Sequence, residues 1–340
     1  MRHLFVFCLA FLLTTGCAAQ NSMQADSGAD GQSLRGSLAS GVLDPAWYAL
    51  YDRLCADGLD DENLPDLFVA MGAPSPEPMS RKIRELYTSS FLKKPDPEKE
   101  SKAAGKDGGK TTAKPKKPEV YQGIVTAENV EKCRAFLSEH EAAFDMGESR
   151  YGVPREIAVS LLFVETRLGT FLGRQKAFYT LASMAASRDP EQISETLAAL
   201  PGAETRTAWV RERMEQRSDW AYKEFVALLQ NTRATGADPL EIPGSVYGAI
   251  GLCQFMPSNI VPLGADGDDD GVIDLFNVSD AVASLSNYLV RNGWKKGMSR
   301  ARQHAVLKSY NRVNIYANTI LALAEAQGYV AEPGRKAAKK

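Results

Sequence analysis

Residues 159–169 read VSLLFVETRLG, an apolar run broken by one carboxylate, Glu165, with Arg167 two places later. At helical spacing Leu161 and Leu162, four and three residues earlier, share the face of Glu165. Ala158, a further turn back, is small enough to leave room for a bulky neighbour. Arg167 is two residues away and falls on another side of the helix, so it is a poor local ion-pair partner. Two readings follow from this stretch alone. Glu165 is a structural carboxylate, paired with a distant group or lying at the domain surface. Alternatively, desolvation raises its pKa and keeps part of it protonated near neutrality, the state required of a general acid.

Outward from this stretch, apolar periodicity holds from residue 119 to about 330. Residues 129–152, NVEKCRAFLSEHEAAFDMGESRYG, read as one long helix ending at Gly152. Pro154 suits the first turn of the next helix, where its missing N–H costs little. That helix runs through Glu165 and is expected to stop near Gly169, a natural residue just past a helix end. Later segments such as SDAVASLSNYLVRNG and NIYANTILALAEAQG also carry the helical period, and few runs alternate at period two. The expected class is mainly α, with at most a small sheet. In residues 44–92, Trp47, Leu50, Tyr51 and Leu54 again repeat at i, i+3, i+4 and i+7. Residues 93–118 lose every large apolar side chain and are rich in Lys, Pro and Gly, the composition of a disordered insert. Residues 331–340 form a basic polar tail.

The formal net charge of −2 over 340 residues gives no basic excess, so nucleic acid is not an expected partner. Residues 1–16 have a positive start at Arg2, an apolar stretch from Leu4 to Leu13 and then small residues, the three parts of an export signal. The apolar stretch falls well short of the about 20 residues that a bilayer span requires. Thr14-Thr15-Gly16-Cys17 resembles the bacterial lipoprotein box, in which the cysteine becomes the lipidated N-terminus. The leucine usually found three places before the cysteine is absent. Ordinary cleavage near Ala19, giving a soluble periplasmic protein, is the alternative. Ala18 after the cysteine favours the outer membrane by the same resemblance. Residues 17–43 then form a flexible tether. Cys55, Cys133 and Cys253 remain, an odd number for an oxidising compartment. Cys55–Cys133, flanking the insert, is the favoured pair, and no spacing resembles a zinc site.

Residues 245–258 read SVYGAIGLCQFMPS. Gly248 and Gly251 let the backbone turn and approach a ligand closely, and Gln254 is a neutral hydrogen-bonding group among apolar neighbours. This block, together with VETRLG, DGDDDGVIDLFNVSDAVASLSNYLVRNGW and YNRVNIYA, resembles the membrane-bound lytic murein transglycosylase B family. The blocks follow the family's order over residues 120 to 330. The resemblance implies a lysozyme-like fold that cleaves the β-1,4 bond between N-acetylmuramic acid and N-acetylglucosamine in peptidoglycan glycan strands. It implies Glu165 as the single catalytic acid, which protonates the glycosidic oxygen. The ionised Glu165 then takes the proton of the sugar's C6 hydroxyl, closing a 1,6-anhydro ring. It further implies that Ser245, Gln254, Tyr288, Tyr310, Tyr316 and Asn311 bind substrate. Phe255 and Met256 are expected to pack locally.

In DGDDDGVID, Asp266 to Asp274, oxygen ligands stand at positions 1, 3 and 5 with glycine at 6, the first half of an EF-hand loop. An acidic surface turn is the plain alternative. Asn277 replaces the glutamate at position 12. The family resemblance places the late ligand at Asp280 and implies a structural Ca2+ held by Asp266, Asp268, Asp270, the Val272 carbonyl and Asp280. Asp269 and Asp274 tune charge or act through water.

The chain departs from the family at Leu168, where an aromatic is common, and at Cys253, where a small residue is common. Residues 176–244 are less recognisable, and the Arg and Trp side chains of WVRERMEQRSDWAYKEF there contact stem peptides or simply form a solvated helix. The rival readings are a hydrolytic muramidase using the same acid, a non-catalytic peptidoglycan-binding lipoprotein and a purely structural helical lipoprotein. Complexes with other cell-wall enzymes are an expected form of control.

Overall fold

The computed structural model describes residues 41–92 and 119–331. The export signal, Cys17, nearly all of the tether, the insert 93–118 and all of the tail after residue 331 lie outside the described residues. Three helices come first: α1 (Tyr48–Ala56), α2 (Leu64–Met71) and α3 (Glu77–Tyr87). The apolar face read at Trp47, Leu50 and Leu54 is buried, and the Trp47 ring meets Phe68 edge-on at 5.2 Å. After the undescribed segment come α4 (Ala127–Glu139), α5 (Glu141–Tyr151) and α6 (Arg155–Thr166). Then follow strand β1 (Gln175–Lys176), α7 (Ala177–Ala186), α8 (Ser194–Ala198) and α9 (Thr207–Thr235). Strand β2 (Pro243–Gly244), α10 (Ile260–Leu263), α11 (Val278–Arg291), α12 (Arg300–Tyr310) and α13 (Asn314–Ala326) complete the chain. The only sheet among the described residues is the antiparallel pair β1–β2, with Gln175 opposite Gly244 and Lys176 opposite Pro243. The mainly α expectation holds.

Three helix boundaries differ from the sequence reading. The single helix expected over 129–152 is two helices meeting at His140, whose φ of −116° and ψ of 33° break the run. The break turns α5 away to pack against α11, while α4 packs against α6. The second helix of the pair does end at Gly152, which takes the left-handed conformation at φ 67°. Pro154 stands just before the first turn of α6 rather than inside it, at φ −57° and ψ 139°. Finally, α6 stops at Thr166 rather than near Gly169, because Arg167 and Leu168 are themselves left-handed (φ 53° and 59°).

α6 is the centre of the core. Ile157 to Phe163 and Thr166 are all buried, enclosed by α4, α5 and α13. The poorly recognised stretch is filled by α7 and the 29-residue α9, which pack along each other. At 1.5 Å per residue α9 is about 43 Å long, and Val210, Met214, Ala221, Phe225, Leu228 and Leu229 form its buried stripe.

Cys55, Cys133 and Cys253 are all free thiols, so the expected Cys55–Cys133 bridge is absent. The reason is placement: α1, with Cys55, packs on α7, whereas Cys133 is buried on α4 against α6. Burial pushes the Cys133 thiol up to about 12.

Candidate active site

Glu165 stands in the last turn of α6, one residue before the helix gives out. The buried Thr166 fixes that end: its hydroxyl donates to Leu252 O at 2.9 Å and accepts from Gly169 N at 3.1 Å. Glu165 itself is partly buried, walled by protein but not closed off from solvent. Its Oε1 accepts a 2.5 Å hydrogen bond from the hydroxyl of Tyr316, which is 2% exposed. Removal from water raises the carboxyl pKa to about 7, against a smaller lowering by the Tyr316 hydroxyl. Burial raises the Tyr316 hydroxyl well above its ordinary range, so it remains a proton donor in this contact.

A row of aromatic rings continues from that hydrogen bond. Tyr310 stacks on Tyr316 with centroids 6.3 Å apart and planes within 12°. Tyr288 meets Tyr310 edge-on at 4.7 Å, and Phe255 lies 5.8 and 6.0 Å from those two rings. The Tyr310 hydroxyl donates to Cys253 O at 2.5 Å, and the Tyr288 hydroxyl donates to Ser309 O at 2.8 Å. The chain of contacts from Glu165 through Tyr316 and Tyr310 therefore ends on the backbone next to Gln254.

That backbone is a tightly folded loop. Ser245 N donates to Ala249 O at 2.9 Å, and Ser245 Oγ accepts from Ala249 N at 3.0 Å. Ile250 N donates to Phe255 O at 2.8 Å. Gly251 has φ 73°, and a Cβ there would lie 2.6 Å from Leu275 O, so the close turn requires glycine. Gln254 adopts φ 51°, an unfavourable left-handed conformation for its type. It is held there by Nε2, which donates to Gly251 O at 3.1 Å and Leu172 O at 3.3 Å, leaving the amide carbonyl available as an acceptor.

A sequence model of the Transglycosylase SLT domain matches residues 75–303. The chain belongs to this family. Within it, the chain is 30% identical over 174 residues to membrane-bound lytic murein transglycosylase B of Escherichia coli K12. The aligned part is 51% of this chain but only 41% of that relative's length. Among solved structures, the Escherichia coli lytic transglycosylase Slt35 in complex with bulgecin A is similar, with a TM-score of 0.57 at 19% identity. That match covers 84% of this chain and 93% of the other. Soluble lytic transglycosylase SltB1 from Pseudomonas aeruginosa matches with a TM-score of 0.56 at 19% identity, over 84% and 98% of the two chains. Slt35 has also been solved in complex with calcium, and that structure matches with a TM-score of 0.57 at 19% identity, over 84% and 93% of the two chains. The fold is the lysozyme-like fold of these transglycosylases.

Of the residues singled out in this transglycosylase-family sequence, Glu165, Tyr316, Tyr310 and Tyr288 form one connected group, and Gln254 adjoins it through Cys253. Ser245 shapes the loop through its side chain. Asn311 caps α12, and its buried Oδ1 has no hydrogen-bond partner. Two contributors escaped the sequence reading. Tyr121 lies close enough to Glu165 for the carboxylate's charge to help raise its hydroxyl pKa, behind the larger effect of burial. Its N–H donates to Thr319 on α13 at 2.9 Å, a pairing across 198 residues with no local signal. Glu224 on α9, 4% exposed, accepts from Ser258 N at 2.9 Å and from Ser258 Oγ at 2.8 Å. It thereby anchors the loop that carries Gln254. Burial raises its pKa and the Ser258 donors pull it back.

In the acidic loop, carboxylate oxygens of Asp266, Asp268 and Asp280 lie within 4.8 Å of one another. Asp280 is buried and accepts from Gly267 N and Asp274 N, both at 2.7 Å. Asp266 Oδ1 is buried with no partner. Asp270 stands apart from this trio and accepts from Val272 N at 2.8 Å, closing its own turn. Asn277, in the position usually held by an EF-hand glutamate, instead caps α11 by accepting from Ser279 N at 2.8 Å. Three converging carboxylates, one with an orphaned oxygen, fit a hard divalent cation bound through oxygen.

Proposed function

We propose that this protein is a lytic transglycosylase that cleaves the β-1,4 bond between N-acetylmuramic acid and N-acetylglucosamine in peptidoglycan without water, leaving 1,6-anhydromuramic ends. One observation carries the reading: a carboxyl with pKa about 7 at the end of a buried helix, held by one tyrosine hydroxyl. Near neutrality such a group is present in both protonation states. The protonated form gives its proton to the glycosidic oxygen as the bond to C1 breaks. The resulting carboxylate, steadied by the Tyr316 hydroxyl, then accepts the proton of the C6 hydroxyl as that oxygen bonds C1. A single carboxylate suffices because the substrate's own N-acetyl carbonyl stabilises the positive charge at C1, work that a second carboxylate does in most glycosidases. The Gln254 carbonyl is suited to accept from that N-acetyl N–H. Tyr288 and Tyr310 give the cleft its aromatic wall.

Asp266, Asp268 and Asp280, supplemented by Asp270 and the Val272 carbonyl, would hold Ca2+. Ca2+ held there would supply positive charge against these carboxylates and so stiffen the loop next to α11, with no role in bond cleavage. Export and lipidation at Cys17 would hold the enzyme on the periplasmic side of the outer membrane, with a soluble periplasmic form as the alternative. No helix among the described residues is long and apolar enough to cross a membrane.

The test is mass spectrometry of the products from intact peptidoglycan, comparing wild type with Glu165→Gln. Anhydromuramic ends that vanish in the variant support the proposal. Reducing ends that have gained water would replace it with a muramidase.

A further inference from the structure

Two phenylalanines among the described residues are at least two-fifths exposed, Phe91 and Phe171. Phe91 is accounted for by its packing against the rings of Tyr87 and Trp209, at 4.9 and 5.0 Å. Phe171, 50% exposed, has no such neighbour, and only the Arg174 guanidinium lies over its ring, at 5.7 Å. Among the described residues Arg174 makes no ion pair, in contrast to Lys176, which is bridged to Glu241.

The loop carrying this pair is fastened beside three of the site residues. Phe171 N donates to Thr166 O at 2.9 Å, next to Glu165. Leu172 O accepts from the Gln254 amide itself. At Gly173 a Cβ would sit 1.9 Å from Gly244 O, so the loop backbone presses against the residue preceding Ser245. Arg167 and Leu168, at its start, are both left-handed without being glycine. Such strain persists only where the surroundings over-determine the backbone, and it clusters at ligand sites. A large apolar ring held half in water on so firmly fixed a loop, beside Glu165 and Gln254, is matched to a ligand with an apolar face.

We propose that Phe171 and Arg174 form a substrate subsite next to Glu165: the ring carries the apolar face of a glycan sugar, and the guanidinium takes a carboxylate of the peptide borne by that glycan. The proposal rests on the transglycosylase reading for its substrate class. A sugar face supplies C–H groups to the ring, and a carboxylate supplies the paired oxygens that a free guanidinium binds bidentately.

The test has a binding arm and a kinetic arm. In the Glu165→Gln background, Phe171→Trp introduces a reporter beside the four native tryptophans. Titration with the hexamer of N-acetylglucosamine should change its emission relative to the same protein with Phe171 intact. In the kinetic arm, Phe171→Ala should raise KM by roughly three- to tenfold with kcat nearly unchanged, and Phe171→Trp should restore it. Arg174→Ala should raise KM on peptide-bearing glycan and leave peptide-stripped glycan unaffected. An unaltered KM in Phe171→Ala, together with no emission change on titrating the Phe171→Trp reporter, would overturn the sugar platform. An equal effect of Arg174→Ala on both polymers would overturn the carboxylate role. If wild type cleaves neither polymer, the transglycosylase reading fails, and the emission titration still decides whether Phe171 binds sugar.

Discussion

Glu165 and Glu224 each place a carboxylate inside the protein from a helix, and burial raises both pKa values. Their surroundings divide their roles. Glu224 accepts two hydrogen bonds from Ser258, a backbone N–H and a hydroxyl, and its oxygens are committed to the loop behind Gln254. Glu165 has one hydroxyl partner, at Oε1, and sits where solvent or a ligand can reach it. A carboxylate surrounded by donors is a structural tie, whereas one buried with a single donor is held ready to exchange a proton.

The largest expected effect is on the Glu165 side of this contrast. Glu165→Gln should lower cleavage of peptidoglycan by at least about a thousandfold, since the side chain supplies both proton transfers. Glu224→Gln keeps the shape but offers Ser258 one acceptor oxygen instead of two, and should lower activity far less. The contrast breaks if Glu224→Gln, folded by circular dichroism, is as inactive as Glu165→Gln; a second carboxylate would then belong to the chemistry.

Stability should reverse the order. Glu224→Ala strands two Ser258 donors and opens a cavity, and should cost about 3 kcal/mol in denaturant melts. Glu165→Gln should instead stabilise the protein, by an amount that depends on pH. With the folded pKa near 7 and the ordinary value at 4.5, the folded state holds the proton more tightly than the unfolded chain. This group's contribution therefore turns progressively unfavourable as pH rises from about 4.5 to 7 and is constant above. The gain of Glu165→Gln over wild type should be near zero at pH 4 and on the order of 3 kcal/mol at pH 8. A gain independent of pH would show that the carboxyl is not desolvated.

Tyr316→Phe sharpens the same point. Its hydroxyl favours the ionised form of Glu165, so its loss should raise that pKa further. The alkaline fall in kcat/KM, expected near pH 7 in wild type, should move upward by up to about one unit. A downward shift would contradict the hydrogen bond as drawn.

The acidic loop gives a smaller, conditional effect. Calcium at a hundred times its dissociation constant should stabilise wild type by about 2.7 kcal/mol. Asp268→Asn should reduce that response while leaving the calcium-free protein nearly unchanged. Asp280→Ala should also destabilise the calcium-free protein, because Asp280 holds the Gly267 and Asp274 N–H groups. The smallest effect belongs to Cys55→Ser, which should leave the melting temperature and non-reducing gel mobility unaltered, because Cys55 is unpaired.

What could be read directly was whatever lay within a few residues along the chain. A glutamate interrupting VSLLFVETRLG marks itself by contrast with its neighbours. The Asp spacing of DGDDDGVID, the glycines around Gln254 and the helical periods are local patterns of the same kind. Glu224 had no such contrast, because it lies in a charged stretch where one more glutamate looks solvated. His140 carried no helix-breaking signature either; the break follows from α4 and α5 packing on different partners.

The sequence by itself determined the helical class, the position of the acid in an apolar helix and, through its four motif blocks, the family. Tertiary structure decided which groups share the acid's surroundings. Tyr316 is 151 residues from Glu165, Thr319 is 198 from Tyr121, and Ser258 is 34 from Glu224. It also decided that Cys55 and Cys133 remain apart and that Asp270 stays outside the acidic trio. The physical reason is range. Helical periodicity and turn chemistry act over a few residues, whereas a pKa depends on water excluded and donors supplied by whichever distant segments close around the group.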